Sequence, residues 1–161
     1  MPTILLVRHG ETDWNRSGRI NGTRPVPLNQ NGLTQTARLA LQLTALAAPA
    51  LYSSPIRRAR QAADILSSAL HVPVAEESGL TEIGIGDWEG RHWNEMEGAP
   101  ARANFYQSPE EARPPGGETL GEVQRRAGLR RNASSATLTA RRPFSSPCGC
   151  HQNDRGALSG D

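Results

Sequence analysis

The chain has 161 residues, of which 36% are apolar and 4% aromatic, with a formal charge of +2. That length carries one domain with a modest core and excludes two ordinary ones, and the composition makes Leu, Ala, Ile and Val the core material of a soluble α/β or α protein. No apolar run approaches the roughly 20 residues that span a bilayer, and "MPTILLVRHG" has no basic segment ahead of its apolar stretch, so a cytoplasmic protein with no membrane partner is expected.

In chain order, "TILLVR" (3–8) is a β-rich apolar run that stops at His-Gly. This is the pattern of a buried strand delivering polar residues to its C-terminal end, where sites in open α/β sheets sit. After a Gly/Pro/Asn loop, Leu33, Ala37 and Leu41, and one turn on Leu39, Leu43 and Leu46, fall at helical spacing. They predict a helix over about 31–47, with Asn29 or Asn31 as N-cap. "ALYSS" (50–54) reads as a second strand. Ser54-Pro55 then supplies an N-cap and a first-turn proline to a helix that buries Ile56, Ala59, Ala63, Leu66 and Leu70. Alternating strands and helices predict a parallel or mixed sheet with helices on its faces. "VPVAEESGLTEIGIGDWEG" (72–90) reads as a strand, a turn and a glycine-rich loop, "HWNEMEG" starts a short helix, and Glu118 or Thr119 caps a helix after "RPPGG".

From residue 127 the texture changes to Ser, Ala, Arg and Gly with few large apolar residues and no period, a composition that reads as poorly ordered. Residues 1–126 hold 13 Arg against 14 acids and residues 127–161 hold five against two, so the basicity belongs to the tail. Basic composition without aromatics or a motif is weak ground for nucleic-acid binding, and no such partner is expected. Cys148, Cys150 and His151 supply only three ligands in a segment with no predicted scaffold, so neither a metal nor another cofactor is expected.

The chemistry concentrates at the other end. Arg8, His9 and Gly10 close the first strand, and Asn15 follows. A neutral imidazole attacks phosphorus while guanidinium binds phosphoryl oxygens bidentately, although an exposed Arg-His pair is an equally good reading of the tripeptide alone. "LLVRHGETDWN", "PLNQNG", "LYSSPIRRARQAA", "LTEIGIGDWEG" and "PPGGETLGEVQ", in that order, resemble the histidine phosphatase superfamily, phosphoglycerate-mutase-like branch, over residues 3 to about 126.

The resemblance implies a three-layer αβα sandwich around a mostly parallel sheet. It implies a metal-free phosphomonoesterase in which His9 is the nucleophile that becomes phosphohistidine. Arg8, Arg58 and Asn15 match the family's phosphate-binding residues, although the spacing of Arg58 beside Arg57 and Arg60 alone favours a solvated helix face. Asn21 and Gly22 fall in the loop that approaches substrate in relatives. Glu82 matches the general acid/base, and an acid beside an anionic phosphate holds its proton more tightly. Asp87 and Glu89 read as structural loop residues, and His71 and His92 as surface residues. The compact length favours a phosphatase acting on a small phosphorylated metabolite over a mutase, and oligomeric state stays open.

Family members also carry a second active-site histidine at the end of a strand like "VLVVSHGGVI", and no such segment follows residue 126. Read one nucleotide later, the codons for residues 142–154 permit "VLLVAHAGVIKTI", with Pro147 giving the histidine. A one-nucleotide shift between about residues 124 and 137 is therefore expected. The resulting chain is an incomplete domain over 1–126, lacking its C-terminal central strand, with an aberrant tail over 127–161.

Overall fold

Why the chain turns where it does is set largely by its caps. The computed structural model describes residues 4–46, 48–96, 100–108 and 110–128. The expectations for Cys148, Cys150, His151 and the rest of the tail lie outside them. Thr12 is the N-cap of α1 (Asp13–Ser17), and Gly18 ends it in the left-handed conformation at φ 75°. Asn29 caps α2 (Gln30–Leu43), its side-chain oxygen accepting from the N–H of Gly32 at 2.9 Å. The Thr44 hydroxyl donates to the Leu41 carbonyl at 2.7 Å, and α2 stops there rather than at 47.

The buried face of α2 is rotated from the one the apolar spacing predicts, whereas in the segment after Ser54-Pro55 the expected Ile56, Ala63 and Leu66 are buried. α2 buries Gly32, Thr36 and Ala40, whereas Ala37 is exposed and Leu41 is 72% exposed. The reason is close approach: a Cβ on Gly10 would meet the backbone of Gly32, and a Cβ on Gly32 would meet the backbone of Glu11. The position laid on that loop, Gly32, therefore takes no side chain. α3 (Arg57–Leu70) begins two residues later than Ser54-Pro55 suggests, with the Ser54 hydroxyl accepting from the N–H of Ile56 at 3.3 Å. It buries Arg58, Ala62, Ala63 and Leu66, with Ala59 and Leu70 half-buried.

β1 (Leu51–Ser53) and β2 (Val74–Glu76) pair in parallel, Leu51 opposite Val74 and Ser53 opposite Glu76, joined through α3. This is an α/β arrangement with helices and a parallel sheet. The strand expected at 3–8 is absent from the described residues 4–8. Strand structure requires a paired neighbour, and among the described residues β1 and β2 pair only with each other. Leu5 is 57% and Leu6 65% exposed, with Ile4 and Val7 also outside the core.

The second half packs around an aromatic cluster. Trp88 meets Trp93 and Phe105 edge-on at centroid distances of 5.8 and 6.0 Å, with Ile85, Met96 and Ala112 around them. Short 3₁₀ turns at Gly86–Trp88 and Trp93–Met96 and helix α4 (Pro100–Gln107) supply these rings. Arg102 lies over the Trp93 ring at 5.4 Å. The last helix, α5 (Leu120–Gly128), is opened by a capping box: the Thr119 hydroxyl accepts from the N–H of Glu122, and the Glu122 carboxylate accepts from the N–H of Thr119. Among the described residues no helix is long and apolar enough to cross a membrane.

Candidate active site

The loop between Thr12 and Leu28 is held at both ends and in its middle. An antiparallel bridge joins Thr12 to Leu28, the Asn29 N–H donates to the Glu11 carbonyl at 3.0 Å, and the Leu28 N–H donates to Gln61 Oε1 of α3 at 2.9 Å. Ile20 exchanges backbone hydrogen bonds with residues 90 and 91. Thr12 is fully buried. Its hydroxyl lies 2.9 Å from Asn15 Oδ1 and 3.3 Å from Asn21 Oδ1, so a single hydroxyl hydrogen serves one acceptor or the other. Asn15 Oδ1 also accepts from the Thr12 N–H at 3.1 Å, and the Asn15 N–H donates to the Thr12 hydroxyl. Asn15, expected in the phosphate pocket, is thus first a helix-capping residue.

Arg58 organises the centre. Only 2% exposed, its guanidinium donates in three directions: Nη2 to the Gly22 carbonyl at 2.8 Å, Nη1 to the Arg24 carbonyl at 3.1 Å, and Nε to His9 Nε2 at 3.1 Å. The His9 ring places Nδ1 2.7 Å from the Gly10 carbonyl. With Nδ1 as donor to that carbonyl, Nε2 carries the lone pair that faces Arg58. Burial pushes the imidazole below its ordinary value. The Gly10 hydrogen bond opposes this, the charges of Arg58 and Arg8 push it further down, and Glu82 opposes. His9 is therefore neutral at physiological pH. Burial likewise lowers Arg58 from its ordinary value, against the charges of Glu82 and Glu89.

Glu89, by sequence a structural loop residue, has a specific place in the structure. Its side chain is 6% exposed. Oε1 accepts from the Thr23 N–H at 2.7 Å and hydroxyl at 2.8 Å, and Oε2 pairs with Arg24 Nε at 3.2 Å. Gly22 sits at φ 52°, and a Cβ there would collide with the Glu89 carboxylate. Glu89 thereby fixes the loop whose Gly22 and Arg24 carbonyls hold Arg58. The signal for this was the "DWEG" stretch itself, but the partners at 22–24 are remote in sequence.

The expected site residues thus divide. His9, Arg58 and Gly22 are brought into one hydrogen-bonded group, and Asn15 and Asn21 meet through Thr12. Arg8 is exposed and acts on His9 through its charge. The exposed Glu82 has Oε1 3.1 Å from its neighbour Ile83 N–H, and its charge acts on both His9 and Arg58. His71 is exposed at the left-handed end of α3, and His92 is half-buried beside Arg19. Beside the group lies an open depression of about 440 Å³, lined by Thr23, Arg24, Asp87, Glu89, Arg91 and glycines.

Residues 4–133 match the family model described as histidine phosphatase superfamily, branch 1. The chain is 39% identical over 118 residues to the metal-independent phosphoserine phosphatase of Arabidopsis thaliana, covering 71% of this chain and 50% of that protein. It is 32% identical over 128 residues to an Escherichia coli protein named "Probable phosphoglycerate mutase GpmB", covering 78% and 60%. The crystal structure of the α-ribazole phosphatase from Shigella flexneri superposes with a TM-score of 0.70 at 29% identity, covering 79% of this chain and 65% of that one. The chain therefore spans half to three fifths of these curated relatives' length. Matched over most of its residues in sequence and superposing in structure on a relative, the chain belongs to branch 1 of the histidine phosphatase superfamily.

Proposed function

We propose that the chain is a phosphomonoesterase that works through a phosphohistidine on His9. The observation that carries this reading is the neutral His9 Nε2 set 3.1 Å from the buried guanidinium of Arg58. A phosphoryl group entering there takes Arg58 N–H groups onto its oxygens, which frees the Nε2 lone pair. Nε2 attacks phosphorus, and the alcohol leaves with a proton from the Glu82 carboxyl. Glu82, now a carboxylate, accepts a proton from water as the water oxygen attacks phosphorus, and His9 leaves as the neutral imidazole. Arg8, Arg58, the Asn15 Nδ2 group not used in the cap, and the Asn21-Gly22 loop are the phosphate-binding groups of this reading. Charge spread over equatorial oxygens in the transition state suits them.

The substrate in this reading is a small phosphorylated metabolite, handled by a cytoplasmic enzyme with no nucleic-acid or membrane partner. The relatives named as phosphatases support this, and the relative named as a mutase keeps phosphoryl transfer between hydroxyls as the second reading. The same proposal takes the fold as a three-layer αβα sandwich whose domain ends near residue 126. A shifted reading frame then costs it a central strand beside residues 4–8, and with that strand the second histidine. Two observations support this: the exposed Leu5 and Leu6, and a family match that ends at residue 133, inside the expected window. A catalytically impaired family member is the alternative reading of a chain so altered. Turnover of a generic aryl phosphate by the purified chain, abolished by His9→Ala, is the expected result. No turnover above the His9→Ala background would leave the impaired reading standing and remove the phosphatase one.

A further inference from the structure

Glu82 sits on an exposed loop, yet its backbone is fixed on both sides by one pair of side chains. Glu118, just before α5, accepts from the Gly84 N–H through Oε2 at 2.8 Å, and the Gly84 carbonyl accepts from the Glu118 N–H at 2.6 Å. Arg126, on α5, donates Nη2 to the Glu82 carbonyl at 3.1 Å and Nη1 to the Gly79 carbonyl at 3.0 Å. The two side chains are themselves paired, Arg126 Nε to Glu118 Oε1 at 3.1 Å and Nη2 to Oε2 at 3.1 Å. The glycines permit the approach: a Cβ on Gly117 would lie 2.5 Å from the Gly84 carbonyl, and Gly86 is at φ 53° against Pro115 and Gly116. Burial raises the Glu118 carboxyl, but hydrogen bonds from Arg126 and Gly84 more than offset this, and its net shift is downward.

We infer that Glu118 and Arg126 are positioning residues for proton transfer, holding residues 82–84 so that the Glu82 carboxyl meets the leaving oxygen. This rests on the proposed role of Glu82 as general acid. α5 supplies the rigidity: Glu122 caps it, and Arg113 ties Glu122 to the Gly117 carbonyl, so the "GGETLGEVQRR" stretch is a brace for the loop. Such a brace matters only when the leaving group needs a proton. An alkoxide is a poor leaving group and depends on the acid, whereas p-nitrophenolate leaves without one.

The test compares kcat/KM of Glu118→Ala, Glu118→Gln and Arg126→Ala on an alkyl phosphate and on p-nitrophenyl phosphate. General acid catalysis contributes roughly 10²–10⁴-fold, so a displaced acid should cost about tenfold or more on the alkyl ester and about threefold or less on the aryl ester. Glu118→Gln keeps an acceptor for the Gly84 N–H and should recover part of the loss. In a Glu82→Gln background, Glu118→Ala should add no further selective loss. Equal losses on both esters, or a selective loss that persists without Glu82, would overturn the inference. If Glu82→Gln itself loses both esters equally, the general-acid role fails first. Absence of turnover by the unsubstituted chain refutes the proposed function and the inference with it.

Discussion

Replacing Arg58 by Lys keeps the charge and removes the shape. The guanidinium satisfies the Gly22 carbonyl, the Arg24 carbonyl and His9 Nε2 from three separate nitrogens, at 2.8, 3.1 and 3.1 Å. A lysine has one nitrogen at the end of its stem and reaches one of these positions well. Two acceptors then lose a partner inside a buried site, at about 1–3 kcal/mol each. Allowing the ammonium or a water to recover part of that leaves roughly 2–4 kcal/mol. For a folded unit of this size each kcal/mol moves Tm by about 4 °C, so a fall of about 8–16 °C is expected. Turnover should suffer as well, by about 10²–10³ in kcat/KM, the usual cost of removing one preorganised donor from a developing charge. Thermal unfolding by circular dichroism and turnover of an aryl phosphate read the two effects. A Lys variant with a Tm within about 2 °C of the parent would show that Arg58 does not hold the three acceptors together, because that is below the loss of a single net hydrogen bond.

Three further outcomes follow from the same contacts. Because the His9 imidazole is lowered in the folded state, the unfolded chain takes up that proton first; stability should therefore rise with pH toward about 6.5 and level off above it. Urea midpoints measured across that span should show the slope in the parent and lose it in His9→Ala. Hydrogen bonding from Arg113, joined by the Thr119 N–H, holds Glu122 at about 2. Its contribution is present above the unfolded value near 4.5 and lost as pH falls from there toward 2, so Glu122→Gln should flatten the acid limb of a Tm-against-pH curve. Gly22→Ala places a Cβ at φ 52° against Glu89, and should cost about 1–2 kcal/mol for the left-handed residue plus a displaced carboxylate, seen as a lower denaturant midpoint.

What could be read from the sequence was the locally encoded part. Asn29 and Thr119, each one of two candidate caps, act where their residue types put them, because caps are satisfied within three or four residues. The buried face of α2 was less legible. The apolar spacing selects Leu41, yet α2 buries Gly32, Thr36 and Ala40, and at Gly32 the neighbour is the backbone of Gly10 and Glu11, which admits no side chain. Arg58 was the hardest to read. Between two other arginines it has the spacing of a solvated helix face, and its burial depends on carbonyls 34 and 36 residues away. Asn15 carries more than its motif suggests, since "TDWN" also encodes the capping box in which its Oδ1 and N–H engage Thr12. Residues 4–8 have strand composition, but a ladder needs a second strand, and composition cannot provide one.

Phosphoryl transfer to His9 is tested most directly by detection of the phosphoenzyme. The purified chain should be mixed with an aryl phosphate, quenched within milliseconds in alkali, where phosphohistidine survives, and analysed by mass spectrometry of its peptides. A phosphate is expected on the peptide containing His9, lost on brief acid treatment and absent in both His9→Ala and substrate-free controls. Turnover without any such adduct, or phosphate recovered on a different residue, would contradict phosphoryl transfer to His9.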